Sequence, residues 1–208
     1  LEAVTTAAGR VSAGFDELIV AGGVESMSRV PLGSDGGPHA IDPSTLLPWS
    51  LIPQGVSADA IASLGGFTRD DVDAYAVQSQ QRAAAARERG GFAHSIVPVT
   101  GEGGVVLLEH DEHLRPGTTA DALAGLAPAF AAFGEAGFDA IVRERHPGID
   151  RVEHVHTAGN SSGIVDGAGL VVVGSGAAAS SLGLAPRARI VAATSVGSDP
   201  TLMLTGPV

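Results

Sequence analysis

Two short apolar runs, Leu18-Ile19-Val20-Ala21 and Leu170-Val171-Val172-Val173-Gly174, frame most of this 208-residue chain. Each is too short for a helix, rich in β-branched side chains and bounded by glycine, which predicts buried strands over 18–21 and 170–174. An amphipathic helix precedes the first. Leu1, Val4, Ala8, Val11 and Phe15 recur at three- and four-residue steps, and Gly14 ends the pattern. A helix followed by a buried strand is part of an α/β layer. The stretch between the two runs reads as mainly helical. The fold expected is therefore an α/β sheet broken by a long helical insertion, with no internal repeat.

Residues 31–53 are rich in Gly, Pro, Ser and Asp and read as loop. A short helix is predicted over 56–64 and a strong one over 68–89. The second opens on Thr68-Arg69-Asp70-Asp71, a capping-box pattern with Asp in place of Glu, and places Val72, Tyr75, Ala76 and Ala83 on one face. Gly90-Gly91 stops it. Runs at 96–99 and 105–108 flank Gly101-Glu102-Gly103-Gly104 and predict a hairpin, with Pro98 favouring an edge strand. Helices follow over 119–126, capped by Thr119, and over 138–145, ended by Pro147. After the second apolar run come a helix over 177–182 and a third strand over 189–194.

Aromatics make up only 4% of the chain and glycine 29 residues, so the core must rest on small aliphatic side chains and close backbone contacts. The net charge of -11 argues against a nucleic-acid or anionic-membrane surface, which needs a basic footprint. All 12 cationic residues are Arg, and a few of them could still hold a small anionic molecule. The chain has no Cys, which excludes a disulfide frame, a Cys zinc site and a thiol nucleophile within it. No apolar run approaches the ~18 residues of a membrane span, and the first residues lack a signal-peptide pattern. A soluble, cytoplasmic protein without membrane or nucleic-acid partners is expected. Leu1 begins a helix with no capping residue before it, and Thr205-Gly206-Pro207-Val208 reads as the lead-in to a further element, so both ends are expected to be interruptions in a larger fold.

Several residues have two readings when taken singly. His110-Asp111-Glu112-His113 holds metal-ligating side chains without a third ligand at a recognised spacing, and reads better as a solvated loop. His154 and His156 fall on one side of an extended segment and read as structural. Glu25 could be a general base, and a buried or capped carboxylate is the plainer reading. The run from Ala158 to Gly163 is a Gly/Ser loop and not a phosphate-cradling P-loop, since no Gly-Lys-Ser/Thr follows it.

Four segments together resemble the thiolase family, the acyl-CoA acetyltransferases. They are Ala21-Gly22-Gly23-Val24-Glu25-Ser26-Met27-Ser28; His156-Thr157-Ala158-Gly159-Asn160-Ser161-Ser162-Gly163 with Asp166-Gly167-Ala168; Asp111-Glu112 with Arg115; and Val196-Gly197-Ser198-Asp199-Pro200 through Thr205-Gly206-Pro207. Family members have two similar α/β halves and a loop domain inserted in the first. The resemblance implies part of the first half over 1–29, the inserted loop domain over 30–154, the rest of the first half over 155–187 and the start of the second half over 188–208. It implies that coenzyme A is bound as substrate carrier and that no cofactor or metal is used. The pantetheine would lie on the loop of Ala158, Gly159 and Ser162, where small residues admit the ligand and a hydroxyl can bond its amide. Arg115 would lie by the CoA nucleotide, Phe130 against its apolar part, and Met203 beside the reacting acyl group. Small-substrate thiolases carry His-Met where this chain has Pro53 and Gln54, at the acyl pocket.

The family's nucleophilic cysteine precedes the segment resembling Leu1, and its other catalytic groups follow the segment resembling Thr205-Gly206-Pro207. None of the chain's seven His lies in the family's Gly-His-Pro context. The resemblance thus implies a thiolase that cleaves 3-oxoacyl-CoA with CoA or runs the reverse condensation, as a homodimer or homotetramer. It implies a 208-residue chain that is inactive alone. The Pro53-Gln54 change, with a 131–155 stretch longer than the matching loop of small-substrate thiolases and holding the helix over 138–145, fits a longer or bulkier acyl chain and hence a degradative β-oxidation role. Two other readings stay open. One is a non-catalytic CoA-binding or assembly subunit of thiolase ancestry. The other is an unrelated α/β binding module, which strands 18–21 and 170–174 in separate sheets would favour.

Overall fold

The computed structural model describes residues 1–37 and 42–208. In chain order the main elements are helix α1 (Glu2–Ser12), strand β1 (Leu18–Glu25), and helices α2 (Pro43–Leu46), α3 (Gln54–Gly65) and α4 (Arg69–Glu88). Strands β2 (Val99–Thr100) and β3 (Val106–Leu108) follow, then helices α5 (Ala120–Ala124), α6 (Ala131–Phe133) and α7 (Asp139–Arg145). Strand β4 (Gly167–Gly174) and helix α8 (Gly176–Ser181) come last. They form two compact units, one of residues 1–40 and 164–197, the other of residues 41–163 and 198–208.

In the first unit β1 pairs antiparallel with β4, Leu18 opposite Gly174 and Glu25 opposite Gly167. The two predicted strands therefore share a sheet, and each is longer than its apolar run. Helix α1 covers one face, where Ala7 packs on Ala21 and Val173, with Val4, Val11 and Ile19 around them. The prediction of fully buried strands is corrected: Val20, Leu170 and Val172 are 65%, 72% and 60% exposed. Successive strand residues point to opposite faces, so one covering helix buries only the alternate set. At the end of this ladder Asp166 accepts from the Ser28 amide at 2.8 Å and from the Ser28 and Ser26 hydroxyls. The Ser28 hydroxyl and then its amide hold the Asp166 carboxyl below its ordinary range. The third strand predicted over 189–194 is absent: among the described residues this segment joins no ladder. Its β-branched residues suit a strand, but a strand requires a partner for its N–H and C=O groups.

The second unit is mainly helical. Its core is Ile52, Val56, Ala60, Val142, Ile149 and Val152, with Phe130, Phe138, Ile141 and Leu202 against it. The capping box forms as predicted: Thr68 accepts from the Asp71 amide while the Asp71 carboxylate accepts from the Thr68 amide at 2.8 Å. The hairpin β2–β3 is antiparallel and shorter than the apolar runs that predicted it. The loop-rich stretch 31–53 is not all loop. Asp42 caps α2, accepting from the Ser44 amide at 2.9 Å, while residues 38–41 lie outside the described residues. Residues 198–208 pack into this unit. The buried Ser57 hydroxyl donates to the Thr201 carbonyl at 2.7 Å, and the Thr201 hydroxyl to the Ser50 carbonyl at 3.0 Å. Among the described residues no helix is long and apolar enough to cross a membrane.

Candidate functional site

The face of α4 predicted to be its apolar side is not the buried one. Its buried residues are Asp73 and Ala84, while Tyr75 is 74% exposed. Tyr75, Ala76, Ser79 and Gln80 form a neighbouring stripe, which lines a cleft of ≈ 640 Å³. That volume suits a small-molecule ligand. Opposite the stripe stand Arg115 and Thr118, the α5 end with Leu123 and Leu126, and the loop from Ala158 to Ser162. The cleft belongs entirely to the second unit. A further concavity in the first unit is a groove between α1 and β1, crossed by the ion pair of Arg10 and Asp16.

Four of the residues singled out in the sequence meet in this cleft: Arg115, Ala158, Gly159 and Ser162. Arg115 is held by its backbone, with its amide donating to Gln80 Oε1 and its carbonyl accepting from the Thr118 hydroxyl, both at 2.8 Å. Its guanidinium is exposed, and among the described residues it pairs with no carboxylate. The Ser162 hydroxyl is likewise exposed, without a hydrogen bond among the described residues. Gly159 passes against Leu123 and Leu126, where a Cβ would overlap both side chains, so only glycine lets the loop approach there. The ring of His113 fills the space beside Gly163 in the same way. The other members of the 110–113 cluster are exposed, as is Glu25, whose Oε1 caps the Ser26 amide at 3.2 Å.

Phe130, Gln54 and Met203 do not line the cleft. Phe130 lies with the core and its ring covers the backbone of Gly55. Gln54 is an exposed first residue of α3, and Met203 is half-buried next to Leu202 of the core.

Two buried carboxylates that were not singled out in the sequence fix the 154–160 segment behind the cleft. Asp59 of α3 has no exposed surface. Its Oδ1 accepts from the amides of Val155 and His156 at 3.0 Å and from His156 Nδ1 at 2.7 Å, and its Oδ2 accepts from His154 Nδ1 at 2.7 Å. Burial pushes the Asp59 carboxyl up, and the bonds from His156 and His154 overcome this and hold it below its ordinary range. His154 Nε2 reaches Asp139 of α7 at 3.2 Å. Burial lowers the His154 imidazole, and the bonds to Asp59 and Asp139 more than reverse this, so it is raised overall. Asp73, 3% exposed, accepts from Asn160 Nδ2 at 2.7 Å and from Arg69 Nε at 2.8 Å. Asn160 in turn accepts from the Thr157 amide at 2.8 Å.

A sequence signal for these two does exist. Asp59 stands three residues after Val56, on the face that Val56 and Ala60 bury, and Asp73 stands four after Arg69. His154 and His156 are structural as read, on the same side, and Asp59 is what they bond.

The thiolase N-terminal domain family matches residues 1–137. The chain is 38% identical over 227 residues to a β-ketoadipyl-CoA thiolase of Pseudomonas aeruginosa, covering 100% of this chain and 51% of that protein. It is 39% identical over 223 residues to an acetyl-CoA acetyltransferase of Thiocystis violacea, covering 100% and 52%. The chain thus spans about half the length of these curated relatives. Among solved structures, the dimeric peroxisomal thiolase of Saccharomyces cerevisiae superposes with a TM-score of 0.78 at 28% identity, over 100% of this chain and 48% of that one. With a family match over residues 1–137, relatives along the whole chain and this structural likeness, the chain belongs to the thiolase family and has a thiolase-like α/β fold.

Proposed function

We propose that the protein is a thiolase-type acyltransferase, cleaving a 3-oxoacyl-CoA with CoA or running the reverse condensation, and that this chain supplies its CoA cleft. The observation that carries the reading is the convergence of the exposed Arg115 guanidinium with the narrow 158–162 loop on one cleft. Arg115 suits the anionic end of CoA, and Gly159 with the open Ser162 hydroxyl suits a slim pantetheine arm. The covalent step of acyl transfer by this family needs a thiolate. The chain contains no Cys, so we assign none of that step to its residues and expect the 208-residue chain alone to be inactive.

The test is CoA affinity of the full-length protein by calorimetry. Arg115→Ala should weaken binding by only ~0–1 kcal/mol, being exposed, and should reduce its salt dependence. Ser162→Ala should cost about 0.5–1.5 kcal/mol. Unchanged affinity in both variants overturns the assignment. CoA binding without turnover of any 3-oxoacyl-CoA by the full-length protein would favour the second reading, a non-catalytic CoA-binding subunit.

We further propose a degradative role on an acyl chain longer or bulkier than acetoacetyl. Pro53 and Gln54 replace the His-Met of small-substrate thiolases, and the 131–155 stretch that carries α7 is longer than the matching loop of those enzymes. A clear preference for acetoacetyl-CoA in kcat/KM across chain lengths refutes it. A cytoplasmic homodimer or homotetramer is our assignment for the assembly, in line with the dimeric yeast neighbour, and light scattering tests its mass.

A further inference from the structure

Among the described residues, the Asp59 carboxylate accepts all of its hydrogen bonds from one three-residue segment, 154–156. That segment leads directly into the cleft loop. Thr157, its next residue, is fully buried, and the His156 carbonyl accepts from the Ala129 amide at 2.9 Å, so the loop leaves a fixed base. Among the described residues no Arg reaches Asp59. The bridge that remains is His154, whose two ring nitrogens each meet a carboxylate, Asp59 at 2.7 Å and Asp139 at 3.2 Å. Ionised carboxylates only accept, so both nitrogens must carry a proton for both bonds to hold. A neutral ring would set a bare nitrogen against a carboxylate oxygen inside the protein.

We propose that Asp59, acting through His154 and His156, is a positioning residue for the cleft loop 157–162, and that the His154 imidazolium bridging Asp59 to Asp139 makes this positioning depend on pH. The groups facing His154 are Asp59 from α3, Asp139 from α7 and, across Asp59, His156; the backbone of Gly134, between α6 and α7, lies against Nε2, and the flanking Glu153 is exposed. The raised His154 imidazole supports the same direction. A group raised on folding contributes its full stabilisation below the unfolded histidine value and loses it as pH rises through the folded one. The segment is therefore most firmly anchored below the ordinary histidine range and loosens as pH rises above it.

The ligand half of this inference rests on the CoA reading, and the test separates the two. In the full-length protein, amide exchange over 154–160, corrected for intrinsic rates, and CoA affinity are followed from pH 6 to pH 9. Protection is expected to fall by about tenfold or more, the worth of a hydrogen bond to a charged group, with CoA affinity falling alongside it. His154→Gln, whose amide does not titrate, should flatten both profiles, while Ser162→Ala should weaken CoA at every pH and leave the protection profile unchanged. Protection that stays constant with pH in the unaltered protein overturns the proposal, as does His154→Gln keeping the original slope. The unaltered protein decides by itself if the variant does not fold. A sloping protection profile with no CoA binding at any pH sustains the positioning role and defeats the CoA reading. CoA binding with flat protection does the reverse.

Discussion

Replacing Asp73 by Ala should free the cleft loop without dismantling the unit that carries it. The carboxylate is 3% exposed and accepts from two donors, Arg69 Nε at 2.8 Å and Asn160 Nδ2 at 2.7 Å. The Arg69 side chain is 24% exposed and keeps its bond to the Leu123 carbonyl, so it recovers part of its hydration and loses about 1 kcal/mol. The Asn160 amide keeps the Val155 carbonyl at 3.1 Å but loses a bond to a charged acceptor, about 1.5–3 kcal/mol. The Arg69 bond lies within α4 and is the same whether the loop is open or closed, so loop opening reads only the Asn160 share, about 2 kcal/mol. At 1.4 kcal/mol per factor of ten, this is about 30-fold in the local opening equilibrium. The readout is hydrogen exchange of the full-length protein over 154–163, where the Thr157 amide bonds Asn160 Oδ1 and the Gly159 amide bonds the Thr157 hydroxyl. Exchange there should accelerate about 30-fold, while the β1–β4 ladder, in the other unit, keeps its protection. Asp73→Asn should fall between, since its oxygen still serves Asn160 while its amide faces Arg69. Less than a twofold change over 154–163 in Asp73→Ala would refute the reasoning.

Gly159→Ala forces a methyl into Leu123 and Leu126 and should destabilise the loop by about 1–3 kcal/mol, read as faster amide exchange over 157–160. Val142→Ala removes two methyl groups from a fully buried site and should lower unfolding stability by about 2–3 kcal/mol, read from the urea midpoint. Asp166, held below its ordinary range by Ser28, contributes above its unfolded value and loses its contribution as pH falls through the folded one. Protection of the Ser28 amide, corrected for intrinsic exchange rates, should therefore hold at pH 5 and fall below pH about 4.

The chain's local grammar was legible. Helix α4 with its Thr68–Asp71 box, α1, α3, α7 and the hairpin all follow from periodicity, caps and glycine stops, which act within a few residues. The family resemblance was legible in separated segments such as Ala158 to Gly163. Tertiary structure alone decided which faces are covered. Whether Val20 and Val172 are buried depends on a layer over the sheet, and the run of apolar residues is the same either way. Residues 189–194 have the composition of a strand, and only a partner could have made them one. Helical spacing places Asp59 with Val56 and Ala60, and Asp73 four after Arg69, without showing the distant donors that meet them. Their burial became possible because His154, His156, Arg69 and Asn160 come to them, three of these from segments far along the chain, and a buried carboxylate is tolerated only where such donors converge. Sequence fixes the donors and the acceptor separately; the fold supplies the distance between them.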